Sequence, residues 1–111
     1  MLKFRVNLGG EGEEPDALNQ QERRVVQPGW FCSQTGDAFG TMVSNGVEFL
    51  LCGNLAITLP DGCVDEAITN SVPIDIVVNW AGPGIQSSEI RRILKSGGIW
   101  TDNGVQVYMK P

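Results

Sequence analysis

The 111-residue chain predicts an α/β fold: a compact, Rossmann-like, mostly parallel sheet with a C-terminal antiparallel β-hairpin. Three observations predict it. Short runs of strand length at residues 3–8, 47–52 and 65–70 are separated by helical or crossover segments, an order that implies parallel pairing. A helix with a serine at its start follows at residues 89–95. Asn103-Gly104 then separates two alternating runs, and such a pair is a strong hairpin signal because both turn residues must accept positive φ.

Taken in order, residues 3–8 place Phe4, Val6 and Leu8 on one side and stop at Gly9-Gly10, which reads as a strand and a glycine turn. Residues 11–24 are polar, acidic at first, and read either as a loop or as a short helix opened by Pro15. Gln27-Pro28-Gly29-Trp30 is a turn that Trp30 and Phe31 anchor to the core. Residues 37–45 carry Ala38, Phe39, Met42 and Val43 at helical spacing, with Asp37 as N-cap and Gly46 past the C-terminus. Residues 47–52, nearly all apolar and followed by Gly53-Asn54, suit a buried parallel strand. Residues 65–70 suit another. Residues 74–80 have strand-like composition but are ambiguous between a strand and a loop or helical turn, and they stop at Ala81-Gly82-Pro83-Gly84. Ser87 or Ser88 caps the next helix, whose apolar side holds Ile90, Ile93 and Leu94, and Gly97 closes it.

Length allows one domain, residues 1–111, able to bury about 65% of its unfolded surface. No apolar run approaches bilayer length, and the alternation at residues 1–5 is not that of a signal peptide, so any export is expected to come from a larger parent protein. A net charge of −5 with only eight Lys and Arg disfavours loose binding to nucleic acid. Cys32, Cys52 and Cys63 are odd in number and lack C-x-x-C spacing, so they read as small core residues. The chain has no histidine. That excludes Ser-His-Asp hydrolysis, Cys-His proteolysis and histidine-dependent metal sites, and leaves carboxylates, Lys, Tyr, Cys or positioning to carry any chemistry.

Residues 59–100, with the turn Leu59-Pro60-Asp61-Gly62, the strand from Asp65 to Asn70 and the helix Glu89-Ile90-Arg91-Arg92-Ile93-Leu94-Lys95 before Gly97-Gly98, resemble the second half of a class I S-adenosylmethionine (SAM) dependent methyltransferase. Asn7-Leu8-Gly9-Gly10-Glu11-Gly12 resembles that family's motif of an acidic or Asn residue before a glycine turn. The resemblance implies SAM as cofactor, with Asn7, Gly9, Gly10 and Gly12 around its aminoacyl part and Asn54 near its adenine. Charge agrees, because Glu11, Glu13, Glu14 and Asp16 would repel a phosphate but not a sulfonium or ammonium. The sequence departs from the family pattern in having Glu11 where glycine is usual, and in placing Gln21 near the position of the ribose-binding acid. Asn70-Ser71-Val72-Pro73 occupies the place of the Asn-Pro-Pro-aromatic motif that orients a nitrogen nucleophile. On that pattern Asn70 orients the acceptor, Asp75 takes a proton, and Ser71 and Trp80 border the substrate.

Residues 7–21 and 68–98 are also similar to the C-terminal toxin domains of bacterial Rhs-type polymorphic toxins with a shortened methyltransferase-like pattern. That resemblance implies an effector delivered as part of a larger secreted protein, acting on a macromolecular target in the cytoplasm of a competing cell and neutralised by a cognate immunity protein. Two other readings stand beside it: a degenerate scaffold that binds a macromolecule without methyl transfer, and a nuclease or NAD-consuming toxin using Glu11, Glu13, Asp65 or Asp75. Arg91, Arg92 and Lys95 form a basic helical face, for which solvation and the negative end of the helix dipole are sufficient reason.

Overall fold

The computed structural model describes residues 3–53, 56–72 and 88–111. Among these residues six strands form one sheet in the order β3-β2-β1-β4-β5-β6. They are β1 (Arg5–Leu8), β2 (Leu18–Gln21), β3 (Glu48–Leu51), β4 (Val64–Thr69), β5 (Leu94–Asp102) and β6 (Val105–Met109). All neighbours pair in parallel except β5 and β6. The expected Rossmann-like sheet and closing hairpin are therefore present. Asn103 and Gly104 turn the hairpin at φ of 51° and 83°.

Register sorts the side chains. Val6 stands beside Leu18 and Ala67, and Ala67 beside Trp100, so these share a face. On it Val6 and Leu8 join Ile57 and the helix α2 (Glu89–Ile93), whose Ile90 and Ile93 are fully buried. Ser88 caps α2 by accepting from the Arg91 amide at 3.0 Å. The opposite face carries Asn7 beside Asn19, and Asn19 beside Phe49. There the helix α1 (Phe39–Ser44) sends Met42 against Gly12, and Phe39 packs on Phe49 with ring centroids 5.0 Å apart and planes tilted by 52°.

Several local expectations are corrected. Of residues 11–24, residues 11–17 are the expected loop, but β2 follows them, with a 3-10 turn at Arg23–Val26 after it. Leu-Asn-Gln-Gln has no apolar alternation to announce a strand, and side-chain amides hold it in place. Asn19 Nδ2 donates to the carbonyls of Glu14 and Ala17, Gln20 Nε2 to that of Cys52, and the Gly9 amide donates to Gln20 Oε1. These bonds allow parallel β1 and β2 to be joined without a helix, by residues 9–17 alone. The strand at residues 47–52 is parallel, as expected, but it is an edge strand and only half-buried.

Helix α1 starts after Ala38 rather than Asp37, whose own amide bonds Thr35 Oγ1. Gly46 follows it at φ 88° as expected. Phe31 is 60% exposed and bridges Ala38 through the backbone, so it does not anchor to the core. Helix α2 ends at Ile93, and Gly97 and Gly98 lie inside β5 rather than closing the helix. The ladder with β4 jumps from Leu94 to Ile99, so residues 95–98 bulge, and Gly97 (φ 81°) bonds back to Lys110. The expected basic face is not free either. Arg92 binds Glu89, Asp61 and the carbonyls of Ile57 and Leu59, while Lys95 pairs with Asp65. The expectations for residues 74–84 and for Ser87 lie outside the described residues.

Candidate functional site

The chain leaves β1 for β2 on one side, while β4 pairs on the other, so β1 and β4 flank the topological switch point of the sheet. Parallel sheets bind ligands beyond the carboxyl ends of their strands at such a point, where diverging connections open a crevice. A cavity of about 370 Å³ lies there. Gly9 borders it after β1, Gln21 at the end of β2 with Glu22 and Arg24 beyond, and Asn70, Ser71 and Val72 after β4. Glu11, Glu13, Ser33 and Gln34 complete the wall. Its size is at the lower end of the few hundred cubic ångströms typical of small-molecule sites.

Internal bonds give this wall a fixed shape. Glu11 Oε1 accepts from the Ser33 amide at 2.9 Å and from Ser33 Oγ at 2.6 Å, while Oε2 stands 3.8 Å from Arg24. Glu13 accepts from the Glu11 amide, and Gln21 spans from the Gly9 carbonyl to the Glu22 amide. Asn70 Nδ2 donates to Glu14 at 3.1 Å, tying the end of β4 to the β1–β2 connection. Ser71 takes a left-handed φ of 54°, and its amide donates to Asn103 at 2.7 Å. Such a conformation is uncommon for serine and is held by the hairpin turn beside it.

The candidate residues divide into three groups. Gly9, Asn70 and Ser71 line the cavity. Asn7, Gly10 and Gly12 do not; they are buried beneath the turn. Asn7 Nδ2 bonds Asn19 Oδ1 at 2.9 Å, and a Cβ on Gly10 would sit 2.5 Å from Asn7 Nδ2 and 2.6 Å from Asn19 Oδ1. A Cβ on Gly12, at φ 97°, would meet Met42 Sδ at 2.5 Å. Packing thus requires both glycines whatever the cavity binds. Asn54, Asp75 and Trp80 lie outside the described residues. Asp65 sits near the start of β4, at the opposite end from the cavity, bonded to the Phe4 amide and to Lys95. The Phe4 amide above all, then Lys95, holds its carboxyl below the ordinary value of 3.8.

Sequence reasoning did not assign Glu22, Arg24, Ser33 or Gln34 to the site. Glu22 directly follows β2, one residue beyond Gln21, and the signal for it was the end of a strand that lacks an apolar pattern. Three carboxylates against one guanidinium suit a cationic ligand and oppose a phosphate. This donor set fits the sulfonium and ammonium of SAM. Gly9 and Glu22 would hold such a ligand, and Glu11 and Glu13 would add to the negative field. Among the described residues, no group of three or more acidic or cysteine side chains has metal-binding geometry.

No protein-family model matches the chain, and no curated protein matches it. Among solved structures, the crystal structure of the [4+2]-cyclase SpnF superposes with a TM-score of 0.62, at 18% sequence identity, over 90% of this chain and 38% of its own. The chain thus spans well under half the length of that cyclase. The likeness is one of fold, and the fold is the class I methyltransferase-like one.

Proposed function

We propose that the domain binds SAM or a related adenosyl ligand in the switch-point cavity and uses it to modify a macromolecular target. The observation that carries this reading is the cavity itself, placed beyond β1, β2 and β4 and walled by Glu11, Glu13 and Glu22 around Gly9. When bound, SAM supplies an electrophilic methyl group. The chain's part is placement: Gly9 leaves room for close backbone approach, the carboxylates balance positive charge, and Asn70, held by Glu14 through its Nδ2, orients an acceptor from the β4 side. The resemblance to Rhs-type toxin domains extends the proposal to an effector delivered from a larger secreted protein into a competing cell's cytoplasm and restrained by an immunity protein.

Thermal melts with SAM, S-adenosylhomocysteine and NAD test the ligand. At about 100 times its dissociation constant, a ligand of the folded state adds about 2.7 kcal/mol of stability. SAM should raise the melting temperature, and the Glu22→Gln variant should lose much of that rise. No shift with either adenosyl ligand would overturn the proposal. Transfer of labelled methyl to bacterial RNA, DNA or protein fractions then separates a working transferase from a scaffold that only binds.

A further inference from the structure

Away from the cavity, the β3 edge of the sheet has a groove of about 390 Å³ beside it. Phe39 and Val43, one turn apart on α1, form one wall; Phe49 and Leu51 of β3 form the other, with Val47 at the end. Backbone geometry adds a second property to the same place. The Cys52 amide bonds the Gln21 carbonyl, which turns the even-numbered residues of β3 toward β2, since alternate residues of a parallel strand bond the same neighbour. Phe49 and Leu51 therefore direct their main-chain N–H and C=O groups away from β2, along the edge that the groove borders, where no strand among the described residues takes them up. Glu48 stands exposed at the start of this edge and adds negative charge.

We propose that this edge and groove form a docking site for an extended peptide strand of another protein, one with apolar side chains at alternate positions and a lysine or arginine opposite Glu48. Strand addition takes affinity from main-chain bonds to an open edge and specificity from pockets for every second side chain, and both are present here. The other edge of the sheet is less suited. Among the described residues strand β6 is also unpaired on its outer side, but its ladder with β5 shifts register between Trp100 and Thr101. A bulge of that kind twists an edge away from pairing. Strand β3 pairs with β2 without a shift over its whole length.

Nuclear magnetic resonance on the isotopically labelled full chain tests the proposal. It is titrated with a synthetic peptide alternating lysine and valine, and with the same peptide N-methylated at every second amide. Saturable shifts of the Phe49 and Leu51 amides with the first, and a loss of affinity of tenfold or more with the second, are expected. Val43→Glu, at a position 47% exposed, should weaken binding at least tenfold without unfolding the domain. Glu48→Lys should reverse the preference toward a peptide alternating glutamate and valine. Equal binding of the N-methylated peptide, shifts confined to β6 or to the acidic cavity, or no shift at millimolar peptide would each overturn it. Shifts that grow with protein concentration alone would assign the edge to a second copy of the chain and overturn it as well.

Discussion

The two halves of the sheet are held together by different chemistry. Around β4, β5 and α2 the contacts are those of an ordinary core: Val64, Ala67, Ile90, Ile93 and Leu94 are buried with almost no accessible surface. Around β1, β2 and the connection between them, much of the buried interior is amide. Asn7, Asn19 and Gln20 are fully buried and bond to one another or to the main chain. An apolar core is tolerant of shape, whereas an amide cluster specifies position, because each misplaced group is left unpaired in a low-dielectric interior. The cavity lies where these halves meet, so its β1 and β2 walls are set by direction-dependent bonds and its β4 wall is backed by packing.

Substitutions in each half should expose that difference. The largest loss is expected from Ile93→Ala, which removes fully buried methyl groups of the core and should cost about 2–5 kcal/mol in denaturant unfolding with little change in the cavity. Asn19→Ala should cost about 1–3 kcal/mol, because it strands the side-chain amide of Asn7 and removes one bond each from the carbonyls of Glu14, which keeps the Ala17 amide, and of Ala17. Its signature is local: amide hydrogen exchange should rise across residues 9–17 more than across β5. If exchange rose equally in both halves, the distinction between them would fail.

The same contrast decides what the sequence made legible. Strands β1, β3 and β4 and the hairpin, with β5 from Ile99 onward, were legible because apolar runs and Asn103-Gly104 are local signals. Strand β2 was not, because Leu18 is its only apolar residue and its amides become strand-forming only when Gly9, Cys52 and Asn7 arrive from elsewhere. The cavity was half legible for the same reason. Gly9, Asn70 and Ser71 follow strands that announce themselves, while Glu22 and Arg24 follow the one that does not. The Gly97-Gly98 pair misled because a glycine after a helical pattern reads as a C-cap, and only the β4 register shows a bulge.

Smaller effects refine the apolar half, where Arg92 ties α2 to the loop at Ile57 and Leu59. The Arg92 guanidinium, and next in support the Ile57 amide, hold the Glu89 carboxyl below its ordinary value of 4.5 against the opposing effect of burial. The folded protein therefore binds this proton less readily than the unfolded chain. The resulting stability is fully present above about pH 4.5 and is lost as the pH falls through the folded-state value. Glu89→Gln should flatten that part of the acid dependence in pH-resolved melts, and an unchanged profile would remove Glu89 from the account. Asp61 is the exposed arm of the same network at 81% side-chain exposure, so Asp61→Asn should change stability by no more than about 1 kcal/mol, most visibly at low salt.

The pairing of β1 with β4 has a consequence for the order of assembly. Register joins Arg5 to Glu66 and Val6 to Ala67, and the Asp65 carboxylate accepts the amide of Phe4 across about sixty residues of chain. Long loops must close before such contacts repay the entropy of closure, and folding slows accordingly. As the chain emerges during synthesis, β1, β2 and β3 are all available by residue 51, yet the central strand keeps one bare edge until residue 69 has followed. For that interval the amide-bonded half stands without its apolar neighbour, and the exposed side of β1 is the surface at which a nascent chain of this protein is most open to wrong partners.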